Sequence, residues 1–296
     1  MNILIVNELT NNSIDEEILK ISYNFPYKFK GFYKNLKSIK SPRIGGFMYL
    51  KKRKGIYNAN TDFYLACQGE YPIIINLILK KGRINLEWGL FSASSVGNIK
   101  LVNLMIAKGA NDWNYALRGA SKGGHLNIVK RAIEKGACDY KESLEYACLG
   151  GEIEIVKYLI KKMGEENLIG KNNILYHACK GGNLRIVNLI ISKGANDWDL
   201  GLTGACMGGN IKIVRMMIEK GANNWNQGLA HACESGNLKM VNFMIEKGAN
   251  DWNRGLYSAC MRGYKKIVRL MVEKGANNCE VCNKRMEEHI KISGYK

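Results

Sequence analysis

Nine cysteines and four histidines are the residues of this 296-residue chain best equipped for chemistry. Their spacing decides whether they do any. Cys279 and Cys282 form a Cys-x-x-Cys, with His289 seven residues on. A zinc site wants a fourth ligand and usually a second pair, and none is near in sequence. The motif reads as the start of a C-terminal cap, not as a metal or redox centre. Cys67, Cys148, Cys179, Cys206, Cys233 and Cys260 share one register, each beside an alanine. Neighbouring packed helices lie ~8–10 Å apart, whereas a disulfide needs Cα atoms within ~4.4–6.8 Å. These six read as small, unpaired core residues in a reducing compartment. His177 and His231 stand in one register two periods apart, a separation of about 20 Å, too far to share a metal or a proton. His125 falls in a turn. No phosphate-binding glycine loop, nucleophile elbow or suitably spaced carboxylate pair is present. No catalytic, cofactor-binding or metal-binding residue is therefore expected, and the chain does not read as an enzyme.

That register is set by a repeat. A glycine recurs at Gly82, Gly109, Gly136, Gly164, Gly194, Gly221, Gly248 and Gly275, at intervals of 27, 27, 28, 30, 27, 27 and 27 residues. A fixed period of this length signals a stacked array, which offers long surfaces more readily than one deep pocket.

Each period holds two apolar periodic stretches. Leu256, Ala259 and Cys260 are spaced to share one face of a helix of about two turns. A glycine four residues after the alanine (Gly97, Gly124, Gly151, Gly182, Gly209, Gly236, Gly263) ends it. Ile267, Val268, Leu270, Met271 and Val272 mark a second helix. A lysine precedes the anchor glycine in seven of the eight units, where a cation suits the negative end of a helix. Asn114, Asp199, Asn226 and Asn253 precede the first helix and suit its N-cap. Trp113, Trp198, Trp225 and Trp252 form a ladder four residues after the anchor. It reads as inter-repeat packing or, alternatively, as an exposed surface that stacks bases.

The unit resembles an ankyrin repeat. The resemblance rests on the Gly-Ala after the second helix, Leu-x-x-Ala-Cys in place of Leu-x-x-Ala-Ala, the Gly-Asn or Gly-His turn, and Ile-Val-x-x-Met-Ile. It covers residues 58 to 278. It implies an all-α solenoid of about eight helix-turn-helix repeats that binds a partner protein. The family's usual period is about 33 residues, so roughly six are missing here, between Gly-Ala-Asn and the first helix. The β-hairpin finger of the family is expected to shrink to a tight loop. The Thr-Pro at the head of the first helix is absent too, with Gly89, Gly201, Gly228 and Gly255 in the place of proline. The GANDWN loops look like those of ankyrin proteins of large DNA viruses, which would make a host protein the partner.

Within that frame three segments are expected: a basic N-terminal segment and cap at 1–57, the array at 58–278, and a C-terminal capping helix or tail at 279–296. The net charge is +18, and residues 18 to 61 carry eleven Lys or Arg and no acid. Such a segment suits an acidic partner, nucleic acid or a nuclear address, and Lys51 to Lys54 match a short nuclear-localisation pattern. Ser13 to Glu16 read as a capping box. Ile14 to Leu19 faintly resemble the start of an F-box, implying a ubiquitin-ligase adaptor. No apolar run approaches the ~20 residues that span a bilayer, and no signal peptide is read. No membrane partner is expected, and the chain reads as a cytoplasmic monomer. Partner-facing positions are sought where the first helices vary: Phe91, Arg118, Lys122, Tyr176, Lys180, Met207, Glu234, Tyr257 and Met261. Lys100, Arg185, Lys212, Lys239 and Lys266 make a basic stripe on the second helices, a solvated face or a track for phosphates.

Overall fold

The computed structural model describes residues 84–164 and 172–277, with Phe63, Ala66, Cys67, Ile75 and Leu79 before them. The N-terminal segment 1–57, with its capping box, F-box-like and lysine-rich stretches, lies outside the described residues. So do Gly82 and the C-terminal segment 279–296 with its Cys-x-x-Cys.

The described residues form helix pairs. The first helices are α1 (Leu86–Ser95), α3 (Trp113–Gly123), α5 (Tyr140–Gly150), α7 (Asn172–Gly181), α9 (Trp198–Gly208), α11 (Trp225–Ser235) and α13 (Trp252–Arg262). The second helices are α2 (Ile99–Ala107), α4 (Leu126–Glu134), α6 (Ile153–Met163), α8 (Leu184–Ser192), α10 (Ile211–Glu219), α12 (Leu238–Glu246) and α14 (Lys265–Glu273). The chain divides into two compact units, residues 1–119 and 120–296. In the second unit each first helix packs on its own second helix, and α5, α7, α9, α11 and α13 pack in sequence.

The repeated residues do what their spacing implies. Gly209 closes α9 at φ 75°, and Gly221 follows α10 at φ 109°, conformations that cost a residue with a Cβ. Leu, Ala, Cys, Ile and Val of the repeat are buried. Leu202, Ala205, Cys206, Ile213 and Val214, for example, have no exposed surface.

The first helix differs from its expected form. It has ten or eleven residues, three turns rather than two. It begins at the ladder Trp, and its cap is Asp197, Asn224 or Asp251, two residues before the positions expected. Asp199 and Asn226 thus sit in the first turn, and their side chains are turned to a different use. Asn226 Oδ1 accepts the backbone N–H groups of Asn250 (2.8 Å) and Asp251 (2.9 Å) in the next loop. Asp199 does the same for Asn223 and Asn224 (2.8 Å each), and Asn172 for Asn196 and Asp197 (3.3 Å each). In the first unit Glu87 plays this part toward Asn111 and Asp112. In these four repeats one carboxyl or amide side chain therefore satisfies two loop N–H groups. Among the described residues no strand is present.

A second ladder runs through the turns. Asn183 caps α8 and donates to the carbonyl of Gly151 (2.9 Å). Asn210 caps α10 and donates to that of Gly182 (3.1 Å).

Candidate functional site: the outward face of the first helices

The nine positions expected to face a partner do not share one environment. Tyr257 and Met261 on α13 are the most open, at 50% and 44% exposure. Lys122, Tyr176, Lys180, Met207 and Glu234 in the second unit are half-buried, as is Arg118 in the first. Phe91 is buried, lying edge-on to Trp88 at 5.3 Å, and so offers no surface to a partner. Its registers Thr203 and Ala230 are buried too. In the first unit Arg118 lies over the Tyr115 ring at 5.0 Å.

In the second unit α9 is a low floor. Thr203 is buried, and a Cβ at Gly204 or Gly208 would strike the carbonyl oxygen of Tyr176 or Lys180 on α7. The backbones of α7 and α9 can approach this closely because those positions are glycine. Longer side chains stand on either side. On α7, Lys180 Nζ lies over the Tyr176 ring at 5.6 Å, and that ring meets His177 edge-on at 5.1 Å. On α11, Glu234 binds the Arg262 guanidinium of α13 at 2.6 Å and faces His231 at 3.4 Å. That hydrogen bond holds the Glu234 carboxyl below the usual carboxylate range. The two sides sense each other: burial first, then the charge of Glu234, pushes the Tyr176 hydroxyl up.

His177 Nε2 lies 3.7 Å from Glu145 Oε2. Burial lowers the imidazole pKa and raises that of the carboxyl, so both shift toward their uncharged forms. Burial also lowers His231. Among the described residues no group of three His, Cys, Asp or Glu is placed to hold a metal.

The cysteine ladder is core. Cys67, Cys148, Cys179, Cys206 and Cys233 are buried free thiols. Burial pushes Cys179, Cys206 and Cys233 up to about 12, which keeps them protonated and unreactive. Cys206 Sγ contacts Met244 Sδ in the next repeat at 3.6 Å. Cys260 corrects the expectation of six unpaired thiols: it is disulfide-bonded. The ladder also extends where no cysteine marks it. Ser94 and Ser121 occupy its register, fully buried, with no hydrogen-bond partner for either hydroxyl among the described residues.

The Trp ladder opens the first helices and is half-buried. Lys220 Nζ covers the Trp198 ring at 5.1 Å, so that lysine serves an indole as well as a helix end. The basic stripe of Lys100, Arg185, Lys212, Lys239 and Lys266 is exposed throughout. Among the described residues no helix is long and apolar enough to cross a membrane.

The residues that sequence reasoning missed are the loop-holding Asn and Asp side chains. Their signal was present as a polar residue at a fixed register, but the same residue type suits an N-cap, and spacing did not separate the two uses.

Comparison with known proteins bears on the fold. No curated protein matches the chain. Among solved structures, the crystal structure of the human ASB11 ankyrin repeat domain is similar at 20% identity and a TM-score of 0.38, over 64% of this chain and 99% of that one. The model for ankyrin repeats (3 copies) matches in overlapping windows, 90–171, 117–200, 144–228, 175–254 and 202–282, which together span well over half of the sequence. With that repeated match laid over helix pairs of the same period, the chain belongs to the ankyrin-repeat family.

Proposed function

We propose that this protein is a non-enzymatic scaffold that binds a partner protein on the first-helix face of its array. One observation carries the reading. Inward positions of the first helices repeat from unit to unit, while outward ones change type, from Tyr176 and Lys180 to Met207, Glu234, Tyr257 and Met261. Packing constrains the former and leaves the latter to a ligand. The surface proposed in the second unit comprises Lys122, Tyr176, Lys180, Met207, Glu234, Tyr257 and Met261. Arg118 is a separate candidate in the first unit. On the resemblance to viral arrays, the partner is a host protein met in the cytoplasm. The segments 1–57, 58–278 and 279–296 serve as basic cap, array and terminal cap.

The test starts with a photo-crosslinking residue at Tyr257, and in parallel at Lys212 on the other face. A partner captured from position 257 and not from 212 is then purified. Tyr257→Ala with Met261→Ala should weaken its binding by tenfold or more, on the order of 1–3 kcal/mol, without lowering thermal stability. Equal capture from both positions, or unchanged affinity, sinks the reading.

A further inference from the structure

Charge is divided unevenly between the two faces of the second unit. Its five complete first helices, α5, α7, α9, α11 and α13, carry four Lys or Arg and four Asp or Glu. Its six second helices, with the lysine that ends five of them, carry seventeen basic residues and five glutamates. That leaves an excess of twelve positive charges on the second-helix face. The five helix-ending lysines answer helix dipoles. The remaining twelve outnumber the five glutamates of the same helices.

Two features of that face are apolar. A cleft of about 380 Å³ lies between α6 and α8, lined by Lys157, Lys161 and Lys193 around Ile160, Leu189 and Gly164. It sits where α6 runs to eleven residues instead of nine and ends at Gly164 without the usual turn (ψ 139°). Farther along, Ile211 and Leu238 are 38% and 37% exposed, each directly before a stripe lysine, Lys212 or Lys239. Lys157 is bound to Glu154 at 3.2 Å, an exposed contact readily exchanged for a stronger anion.

We infer that the second-helix face of this unit docks on the surface of an anionic lipid bilayer, with a headgroup phosphate among Lys157, Lys161 and Lys193. The apolar floor of Ile160 and Leu189 then meets the glycerol and upper acyl region. Ile211 and Leu238 dip into the interface between lysines that pair with neighbouring headgroups. A nucleic acid uses the charge but leaves the aliphatic groups uncovered. The rings of this face, Tyr158 and Phe243, already lie under Lys162 (5.9 Å) and Lys247 (5.6 Å), so they offer bases no free platform. The expectation of no membrane partner rested on the lack of a spanning segment, and lying on a bilayer needs none. This face is separate from the partner surface proposed above, so Tyr257→Ala with Met261→Ala should leave lipid binding unchanged.

The experiment is vesicle co-sedimentation of the full chain at physiological ionic strength. Vesicles of phosphatidylserine in phosphatidylcholine should bind it, and pure phosphatidylcholine should not. Lys157→Gln, Lys161→Gln and Lys193→Gln together should weaken binding roughly 100-fold, while the same three changed to Arg should keep it. A charge-matched control, Lys51→Gln, Lys52→Gln and Arg53→Gln, should cost less than about threefold. No binding to phosphatidylserine vesicles overturns the proposal. So does an equal loss in the control, which would make the N-terminal charge the anchor, or tighter binding of duplex DNA that the cleft variant weakens while lipid binding stays unchanged.

Discussion

At the scale of the residue, this protein reuses few solutions, and its exceptions are informative. The buried register of Cys148, Cys179, Cys206 and Cys233 holds Ser94 and Ser121 in the earlier repeats. A thiol tolerates an apolar site, whereas a buried hydroxyl without a partner forfeits its hydrogen bond to water. Ser121→Cys copies the chain's own solution into that site, and the larger sulfur also fills space. It should stabilise the protein by about 1 kcal/mol, read as a higher midpoint in urea at unchanged slope. A lower midpoint would mean that the site at Ser121 is too small for sulfur or that its hydroxyl is satisfied. A similar exchange appears between the paired helices. Gly89, Gly201, Gly228 and Gly255 each face a methionine, Met105, Met217, Met244 or Met271, whose sulfur would lie 2.5 to 2.7 Å from an added Cβ. Where the first helix has Ala116 or Ile174 in that register, the residue sixteen positions on is Ala132 or Ile190. These glycines stand in the fourth position of their helices, deep in the core, and do not mark a helix start as a proline would.

At the scale of the element, one kind of glycine lets paired helices meet, a second lets neighbouring repeats approach, and polar ladders tie the repeats together. Gly204→Ala would drive a Cβ into the carbonyl oxygen of Tyr176, which is backbone and cannot swing aside. Gly201→Ala would meet Met217 Sδ, which can turn away. Both gain up to about 1 kcal/mol of helix propensity. Gly204→Ala should still lose roughly 1–3 kcal/mol, and Gly201→Ala should lie within about 1 kcal/mol of the parent. Equal effects would mean that α7 and α9 can separate at little cost. The polar ladder is tested at Asn226. Replacement by Ala strands the N–H groups of Asn250 and Asp251, a loss of about 1–2 kcal/mol in denaturant unfolding. Asp at that position should restore it, because Asp199 already makes the same two bonds one repeat earlier. Here lies the limit of what the sequence discloses. Period, helix pairs, closing glycines and the cysteine core are legible, because burial and backbone geometry repeat and leave a pattern. The extra turn of the first helix and the loop-holding role of Asp199 and Asn226 are not. A cap and an inter-repeat acceptor ask for the same side chains, and they differ only in what lies a full period away. Phe91 misleads for a related reason: its register varies, but variation records the absence of a shared demand, and burial there is met by Phe, Thr or Ala alike.

At the scale of the molecule, stability should be distributed by neighbour, since each repeat's apolar face is covered by the next. Cys206 sits at such a junction. It is fully buried, touches Met244 of the following repeat, and lies 3.3 Å from a Cβ placed at Gly228. Cys206→Asp brings a carboxylate into an apolar site with no cation to pair it, and should cost about 4 kcal/mol or more. Cys138→Asp, on an exposed thiol, should leave melting unchanged and controls for added charge. The pattern of loss carries the information. Hydrogen exchange should accelerate most in α9 and α10, then in α7, α8, α11 and α12, and least in α5 and α14. A graded profile is what nearest-neighbour coupling requires. Uniform acceleration would show the second unit unfolding as one body, with coupling that outweighs the stability of any single repeat. Unchanged melting would remove Cys206 from the core and, with it, the reading of the cysteine register as packing.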